Sequence, residues 1–343
     1  MTSMSAAPQR SPGLSVVLPA HNSTEFIRDA LNSLTRQNLG RHELQVVAID
    51  DASTDDTLSI LESYHDVLNL TIIPVPENRG VSHARRRGLA EATGEYITFL
   101  DADDWLAPGY YAKVLRAIRR LDVDFIRTDY VQVHKDKRTL KRAPCSLRDV
   151  PLDPLDYIMP VDSPTLVDYP NLWTLFFHRK LYDEGNLLLD DSLRTCEDRV
   201  IVWNMHLHLA SCAVINEYGL CYRKGHSAGS LTAVLDDRQL DFFPAFKHIF
   251  ADVDAHPARD RIYPQALRTF FALLTHHIMK RGTMLPPELQ VRLHQEAVTM
   301  TSTLDMSHKC AALHNFGEER LKVLEPILAG DASIPESLRR EHG

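Results

Sequence analysis

The chain has 343 residues, 44% of them hydrophobic and 24% charged, with a formal net charge of -8 and a pI near 6.1. That composition describes a globular protein with room for one large domain and a smaller one, and its acidic balance excludes nucleic-acid binding driven by overall positive charge. No apolar run approaches the roughly 18 residues that a membrane-spanning helix needs.

Residues 1–13, rich in Ser, Ala and Pro, read as a disordered leader that lacks the apolar segment of a signal peptide. From residue 14 the pattern alternates strand and helix with short links. Residues 14–18 form an apolar run stopped by Pro19. Asn22 or Ser23 can cap a helix whose inner face carries Phe26, Ile27, Ala30, Leu31 and Leu34. A buried strand over 44–49 ends in Asp50-Asp51, and Ser53 then caps a second helix with Asp56 as its capping-box acid. Residues 70–75 make a third strand, 81–92 a helix and 96–100 a fourth strand. Such alternation predicts an α/β fold with a parallel, Rossmann-like sheet flanked by helices.

Pro108 suits the first turn of a helix running to about residue 121, and 124–133 reads as extended. The basic stretch 134–142 interrupts the pattern, and the Pro- and Asp-rich segment up to 169 reads as an irregular connection over the sheet edge. Residues 172–177 are apolar and aromatic, Glu197 begins a helix containing Val200, Ile201, Trp203 and Met205, and 212–222 reads as a strand. Beyond 232 only helical periods remain, near 239–253, 263–281, 286–303 and 318–328, which predicts an all-helical C-terminal domain over 233–343 after an α/β domain over 14–232. The five cysteines, Cys145, Cys196, Cys212, Cys221 and Cys310, include no Cys-x-x-Cys pair and read as reduced thiols of a cytoplasmic protein.

Phe99-Leu100-Asp101-Ala102-Asp103-Asp104-Trp105 is an apolar strand that ends in three carboxylates. Clustered like charges resist burial unless a cation neutralises them. Carboxylate oxygens are hard ligands suited to Mg²⁺ or Mn²⁺, which one or two of them hold together with a substrate's phosphates. Three polar clusters follow successive strands: Pro19-Ala20-His21-Asn22, Asp50-Asp51-Ala52-Ser53 and Asp101-Ala102-Asp103-Asp104. In a parallel sheet all three reach the same carboxyl edge, where open α/β sheets bind their ligands.

These segments, with Glu77-Asn-Arg-Gly-Val-Ser-His-Ala-Arg85 and the run from Gly88 through Gly94 and Tyr96 to Asp104, fall in the order and spacing of the inverting nucleotide-sugar glycosyltransferases of family 2, which have the GT-A fold. The chain resembles that family over about its first third. The resemblance implies that Pro19, Ala20, His21, Asn22 and Asp50 or Asp51 cradle the nucleoside, that Asn78 and Gly80 shape a loop and that Arg85 approaches the diphosphate. Asp103 then holds the metal, Ala102 adjoins it, and Asp101 contacts metal or ribose. Where the family often has Asn after this arginine, the chain has Arg86.

Further on, the segment from Trp173 resembles the family's acceptor side, and Thr195-Cys-Glu-Asp-Arg199 resembles its Glu-Asp motif. Asp198 is then the base that takes the acceptor hydroxyl's proton, with Glu197 orienting the acceptor or supporting Asp198; helix capping is the competing role for both. The segment Tyr222-Arg-Lys-Gly-His-Ser227 resembles the part that closes over the donor phosphates, with Arg223 and Ser227 on phosphate oxygen and His226 on diphosphate or metal. The Gln-x-x-Arg-Trp element of processive synthases is missing, which favours transfer of one sugar or a few.

The implied partners are a nucleoside-diphosphate sugar, UDP-sugar favoured, and a saccharide, lipid-linked or polymer acceptor. The basic stretch 134–142 gives scope for peripheral contact with an anionic inner membrane face, and the helical domain for a homo-oligomer contact. Two rival readings are a non-catalytic sugar-nucleotide-binding or assembly module and a sugar nucleotidyltransferase; the second lacks its glycine-rich loop near the N-terminus.

Overall fold

The computed structural model describes residues 11–185, 187, 190, 192–225 and 235–334. They form two compact units, each discontinuous in sequence. One is built from 11–153, 171–187 and 209–225, the other from 154–170, 190–208 and 235–334.

The strands of the first unit are β1 (Leu14–Ala20), β2 (Leu44–Asp51), β3 (Asn69–Val75), β4 (Tyr96–Phe99), β5 (Trp105–Leu106), β6 (Phe125–Arg127), β7 (Tyr130–His134), β8 (Lys137–Lys141), β9 (Leu175–His178), β10 (Cys212–Val214) and β11 (Leu220–Arg223). Its helices are α1 (Ile27–Leu34), α2 (Thr57–Glu62), α3 (Val81–Glu91), α4 (Tyr110–Leu121) and α5 (Lys180–Asp183). A seven-stranded sheet runs β10-β6-β9-β4-β1-β2-β3, parallel from β4 to β3 and from β10 to β6, with β9 antiparallel between β4 and β6. The fold is thus α/β and mainly parallel, as expected. All eight residues of β2 are buried, which is what a strand covered on both faces requires. Gly88 lets α3 lie directly on this sheet, because a Cβ there would meet Val17 Cγ1 at 2.4 Å and Ile49 Cδ1 at 2.6 Å.

Several segments differ from the sequence-based expectation. The stretch expected as one strand over 124–133 divides into β6 and β7, and that over 212–222 into β10 and β11, the partners lying in different sheets. The smaller sheet runs β5-β11-β7-β8. The basic stretch that interrupts the sequence pattern supplies β8, a hairpin partner of β7. Its charged residues lie on an edge strand, where charge blocks pairing with other chains, so no apolar alternation marks it. Neither Ser53 nor Asp56 caps α2 with its side chain, and no side chain caps α1; Ser53 Oγ instead accepts from Asn22 N at 3.0 Å. Pro108 lies just before the next helix rather than in its first turn, since α4 begins at Tyr110 after Gly109 in a left-handed conformation (φ 69°).

The second unit contains α6 (Glu197–His208), α7 (Phe242–Ala255), α8 (Arg259–His276), α9 (Pro287–Thr301), α10 (Lys309–Leu313) and α11 (Glu318–Leu328). Its core joins Val200 and Trp203 of α6 to Phe242, Phe246 and Phe250 of α7, Tyr263 and Phe270 of α8, and Leu324 and Ile327 of α11. The apolar face of α6 therefore packs with the C-terminal helices, and a single cut at 232 does not separate the units. No helix among the described residues is long and apolar enough to cross a membrane.

At the end of α8, the π turn His277–Arg281 buries His277 with its ring 4.4 Å from that of Phe242, while Nδ1 donates to Leu273 O at 3.0 Å. Burial pulls the His277 pKa down to about 4. The unfolded chain takes up this proton near pH 6.5 and the folded chain resists it, so stability is full above that pH and falls as the pH drops toward 4, by on the order of 3 kcal/mol. His277→Asn is expected to flatten the melting-temperature profile between pH 6.5 and 4; an unchanged slope would show that other groups set it.

Candidate functional site

The parallel register brings Ala20 beside Asp50 and carries the β1, β2 and β4 chain ends to one edge of the sheet. The first two loops are laced together. Thr54 N donates to Asn22 Oδ1 at 2.8 Å, Ser23 N to Thr57 Oγ1 at 2.7 Å and Thr24 N to Asp55 Oδ2 at 3.1 Å, while His21 Nδ1 donates to Asp51 O at 2.7 Å. Asn22 (φ 46°) and Ala52 (φ 57°) both take left-handed conformations to make this lacing. Asp55, which accepts from Thr24 and Thr57, has its pKa held down near 2 despite some burial.

The two aspartates that end β2 have different surroundings. Asp51 accepts from Arg79 N at 3.0 Å and Gly80 N at 2.8 Å, fixing the loop that contains exposed Asn78 and the start of α3. Gly80 (φ 86°) permits that turn. Asp50 is equally buried, yet its Oδ1 has no hydrogen-bond partner among the described residues. Asp50 is therefore the one with acceptor capacity left.

On α3, Arg85 is 5% exposed, lies 5.6 Å from the centre of the Phe99 ring and pairs with Asp101 Oδ1 at 3.0 Å. Asp101, buried Ala102, Asp103 and Asp104 form a tight turn in which Asp104 N donates to Asp101 O at 3.1 Å. Burial and the charge of Asp101 push the Asp103 carboxyl up to about 6; burial and the charges of Asp103 and Asp101 push Asp104 well above the carboxylate range. Among the described residues no group of three or more His, Cys, Asp or Glu is arranged around a metal position. The largely buried Asp103 carboxyl and the neighbouring, partly exposed Asp101 nevertheless fit a hard divalent ion whose remaining ligands are water and phosphate.

Arg223 is anchored in protein rather than presented as a free guanidinium. Its backbone N donates to Asp104 Oδ1 at 2.7 Å, Nε to Asp103 O at 2.8 Å and Nη2 to Asp29 Oδ2 at 2.6 Å. The guanidinium lies 4.5 Å from the Phe26 ring and 4.5 Å from the Trp105 ring. Next to it, Tyr222 stacks on Trp173 with centroids 5.2 Å apart and planes at 10°, and Tyr130 meets both edge-on. Burial and the charges of Asp104, Asp103 and Asp101 push the Tyr222 phenol up to about 12, which puts this aromatic cluster in the field of the carboxylate turn. Trp173 Nε1 is buried without a hydrogen-bond partner among the described residues. Sequence reasoning does not single out Tyr130, Tyr222, Asp29 or Thr54, because they lie on elements and loops that only tertiary pairing brings here.

Glu197 and Asp198 open α6 in the second unit, after Cys196 in a left-handed conformation (φ 65°). Glu197 is 7% exposed, and Asp198 Oδ1 accepts from Arg199 N at 2.8 Å. His226 and Ser227 lie outside the described residues.

The Arg223 network predicts a structural cost. Arg223→Ala is expected to destabilise the protein by about 2 kcal/mol, from two lost cation–π contacts and two lost side-chain hydrogen bonds. Arg223→Lys should recover little, because an ammonium cannot lie flat between two rings. Denaturant melts of the ligand-free protein measure this; an unchanged midpoint for Arg223→Ala would sink it.

The glycosyl transferase family 2 model matches residues 15–184. Over 268 residues the chain is 27% identical to the poly(ribitol-phosphate) beta-N-acetylglucosaminyltransferase TarS of Staphylococcus aureus, a match that covers 75% of this chain and 44% of that relative's length. The crystal structure of S. aureus TarS 1–349 in complex with UDP-GlcNAc superposes with a TM-score of 0.73 at 20% identity, over 93% of this chain and 88% of that one. A mannosyltransferase from Pyrobaculum calidifontis, solved with GDP-Man and Mn²⁺, gives a TM-score of 0.51 at 17% identity over 96% of this chain and 88% of that one. Through the domain at residues 15–184, the chain belongs to glycosyl transferase family 2, and its fold is GT-A.

Proposed function

We propose that the protein is a non-processive inverting glycosyltransferase that moves a sugar from a nucleoside-diphosphate sugar, with UDP-sugar favoured, to a hydroxyl of a cell-surface polysaccharide, glycolipid or wall polymer. The observation that carries this reading is the meeting, at one sheet edge, of Asp50 with acceptor capacity left and the Asp101–Asp103 turn, whose Asp103 carboxyl burial pushes up. Membership in family 2 and the sugar-nucleotide complex of the TarS structure support it. Five cysteines without a disulfide suit a reducing, cytoplasmic compartment.

Each residue then has a chemical task. The laced loops hold Pro19, Ala20, His21 and Asn22 along one side of the nucleoside, and Asp50 accepts a hydrogen bond from the base. Asp51 keeps the Asn78–Gly80 loop in place from beneath. Asp103 with Asp101 would hold Mn²⁺ or Mg²⁺, which when bound would supply positive charge at the nucleoside diphosphate. Arg85 holds Asp101 in position from α3 and brings a guanidinium to the diphosphate side. Asp198 takes the proton of the attacking hydroxyl, kept ionised by the N-terminus of α6, and Glu197 orients the acceptor. Trp173 offers a face to an acceptor ring.

Purified protein given UDP-GlcNAc, UDP-glucose and related donors with Mn²⁺ is expected to release nucleoside diphosphate; release of pyrophosphate would mark a nucleotidyltransferase, and binding without release a non-catalytic module. Asp103→Asn and Asp198→Asn should each lower kcat by about 10²-fold or more, with little change in melting temperature. Asp103→Asn should also abolish stabilisation by Mn²⁺ plus nucleotide. Full turnover by either variant would refute its assigned role.

A further inference from the structure

The β7–β8 hairpin of the first unit gathers positive charge at the edge of the smaller sheet. Lys135, Lys137, Arg138, Lys141 and Arg142 all lie between residues 134 and 142, where Asp136 is the sole acid. Lys224 joins them through the sheet: its N–H donates to Val133 O at 2.9 Å, and Val133 is the register partner of Arg138. Along β8, Lys137 and Lys141 alternate with Arg138 and Leu140, so cations leave both faces of the strand and surround its outer edge. Of the six cations only Lys141 is half-buried and the rest are exposed, as is Leu140 at 38%.

Elsewhere in the same unit cations find acids. Lys113 pairs with Glu217, Arg119 with Glu95, Arg120 with Asp149, Arg148 with Asp129 and Lys180 with Asp124. Among the described residues none of the side chains of Lys135, Lys137, Arg138, Lys141, Arg142 and Lys224 makes an ion pair or a hydrogen bond. Blocking a sheet edge against other chains takes only a few charges on the strand itself. Here the cations continue past β8 into the turn, to Arg142 and to the end of β11, in a chain with 46 acidic and 38 basic residues. The turn adds a second sign of selection for charge: Lys135 stands there in a left-handed conformation (φ 52°), where Gly or Asn would cost less.

We propose that the β7–β8 hairpin, with Lys224, is a contact surface for an anionic lipid bilayer. Four of the six cations are lysines, whose ammonium groups are compact point charges without the planar fork that selects a single phosphate. A rim of such charges around an exposed strand edge matches the diffuse negative charge of a membrane surface rather than one bound ligand. Leu140, exposed among them, adds an apolar side chain that can enter the headgroup layer. The contact holds at the bilayer the same small sheet from which Arg223 grips the carboxylate turn. That this serves transfer to lipid-linked acceptors rests on the proposed transferase function; the membrane contact itself does not.

The test uses the full chain and vesicles of phosphatidylglycerol and phosphatidylcholine in equal parts, with pure phosphatidylcholine vesicles as control. The protein is expected to sediment with the anionic vesicles at low salt and not with the neutral ones, and to be released as salt rises. The triple variant Lys135→Gln/Lys137→Gln/Arg138→Gln should lower the partition coefficient by on the order of 10²-fold, while its melting temperature stays near that of the wild type. The charge-preserving Lys135→Arg/Lys137→Arg/Arg138→Lys should bind as the wild type does. Equal partitioning of the neutral triple variant, or equal binding to pure phosphatidylcholine, overturns the contact. So does capture of soluble polyglutamate through these residues by a protein that does not sediment with vesicles, which would make the hairpin a grip for a soluble polyanion. Nucleoside-diphosphate release is read separately: vesicle binding through the hairpin without release from any donor would keep the membrane contact and refute the transferase reading.

Discussion

The first unit depends on keeping three carboxylates in one turn at the end of a buried strand. Asp101, Asp103 and Asp104 repel one another, and Asp104 is fully buried, so the turn persists only because positive groups and N–H donors surround it. Arg85 meets Asp101 from α3, while Arg223 reaches in from β11 to the backbone of Asp103 and, through its own N–H, to the Asp104 carboxyl. Asp103 makes no ion pair among the described residues, and Asp104 Oδ2 is buried without a hydrogen-bond partner among them. The fold thus holds the turn through Asp101 and one oxygen of Asp104 and leaves its middle to be completed by a cation.

The same division recurs after β2. Asp51 is consumed in holding the Arg79–Gly80 backbone, whereas adjacent Asp50 keeps an oxygen without a partner among the described residues. A residue pair that looks symmetric in sequence therefore separates into a structural member and one with acceptor capacity. The lacing of Asn22, Ser23 and Thr24 to the loop at 54–57 does for the backbone what Asp51 does for α3. It removes conformational freedom before a ligand arrives, which lowers the ordering cost of binding.

Much of this architecture is legible in the sequence because burial writes periodic patterns. The continuous apolar runs of β1 and β2 and the amphipathic face of α1 identify parallel strands and a covering helix directly. Strand partition is not legible. Residues 124–133 read as one extended run, and only the tertiary pairing of β6 with β9 and β7 with β11 assigns its halves to different sheets. The edge strand β8 carries lysine and arginine where a buried strand would carry valine, so its sequence resembles a loop. Helix caps mislead for a related reason: Ser53 and Asn22 have capping chemistry, but each finds a stronger use across the gap to the other's loop. Of the candidate residues, the carboxylates are visible as motifs. The Trp173–Tyr222 stack and the grip of Arg223 are not, since their partners come from segments far apart in sequence.

In a chain rich in both charges, most ionisable groups are paired, capped or solvated singly, which is what stability alone would select. The first unit departs from this at Asp103, where burial and the charge of Asp101 act against ionisation. That departure costs folding free energy in the absence of a ligand, and a bound cation relieves it.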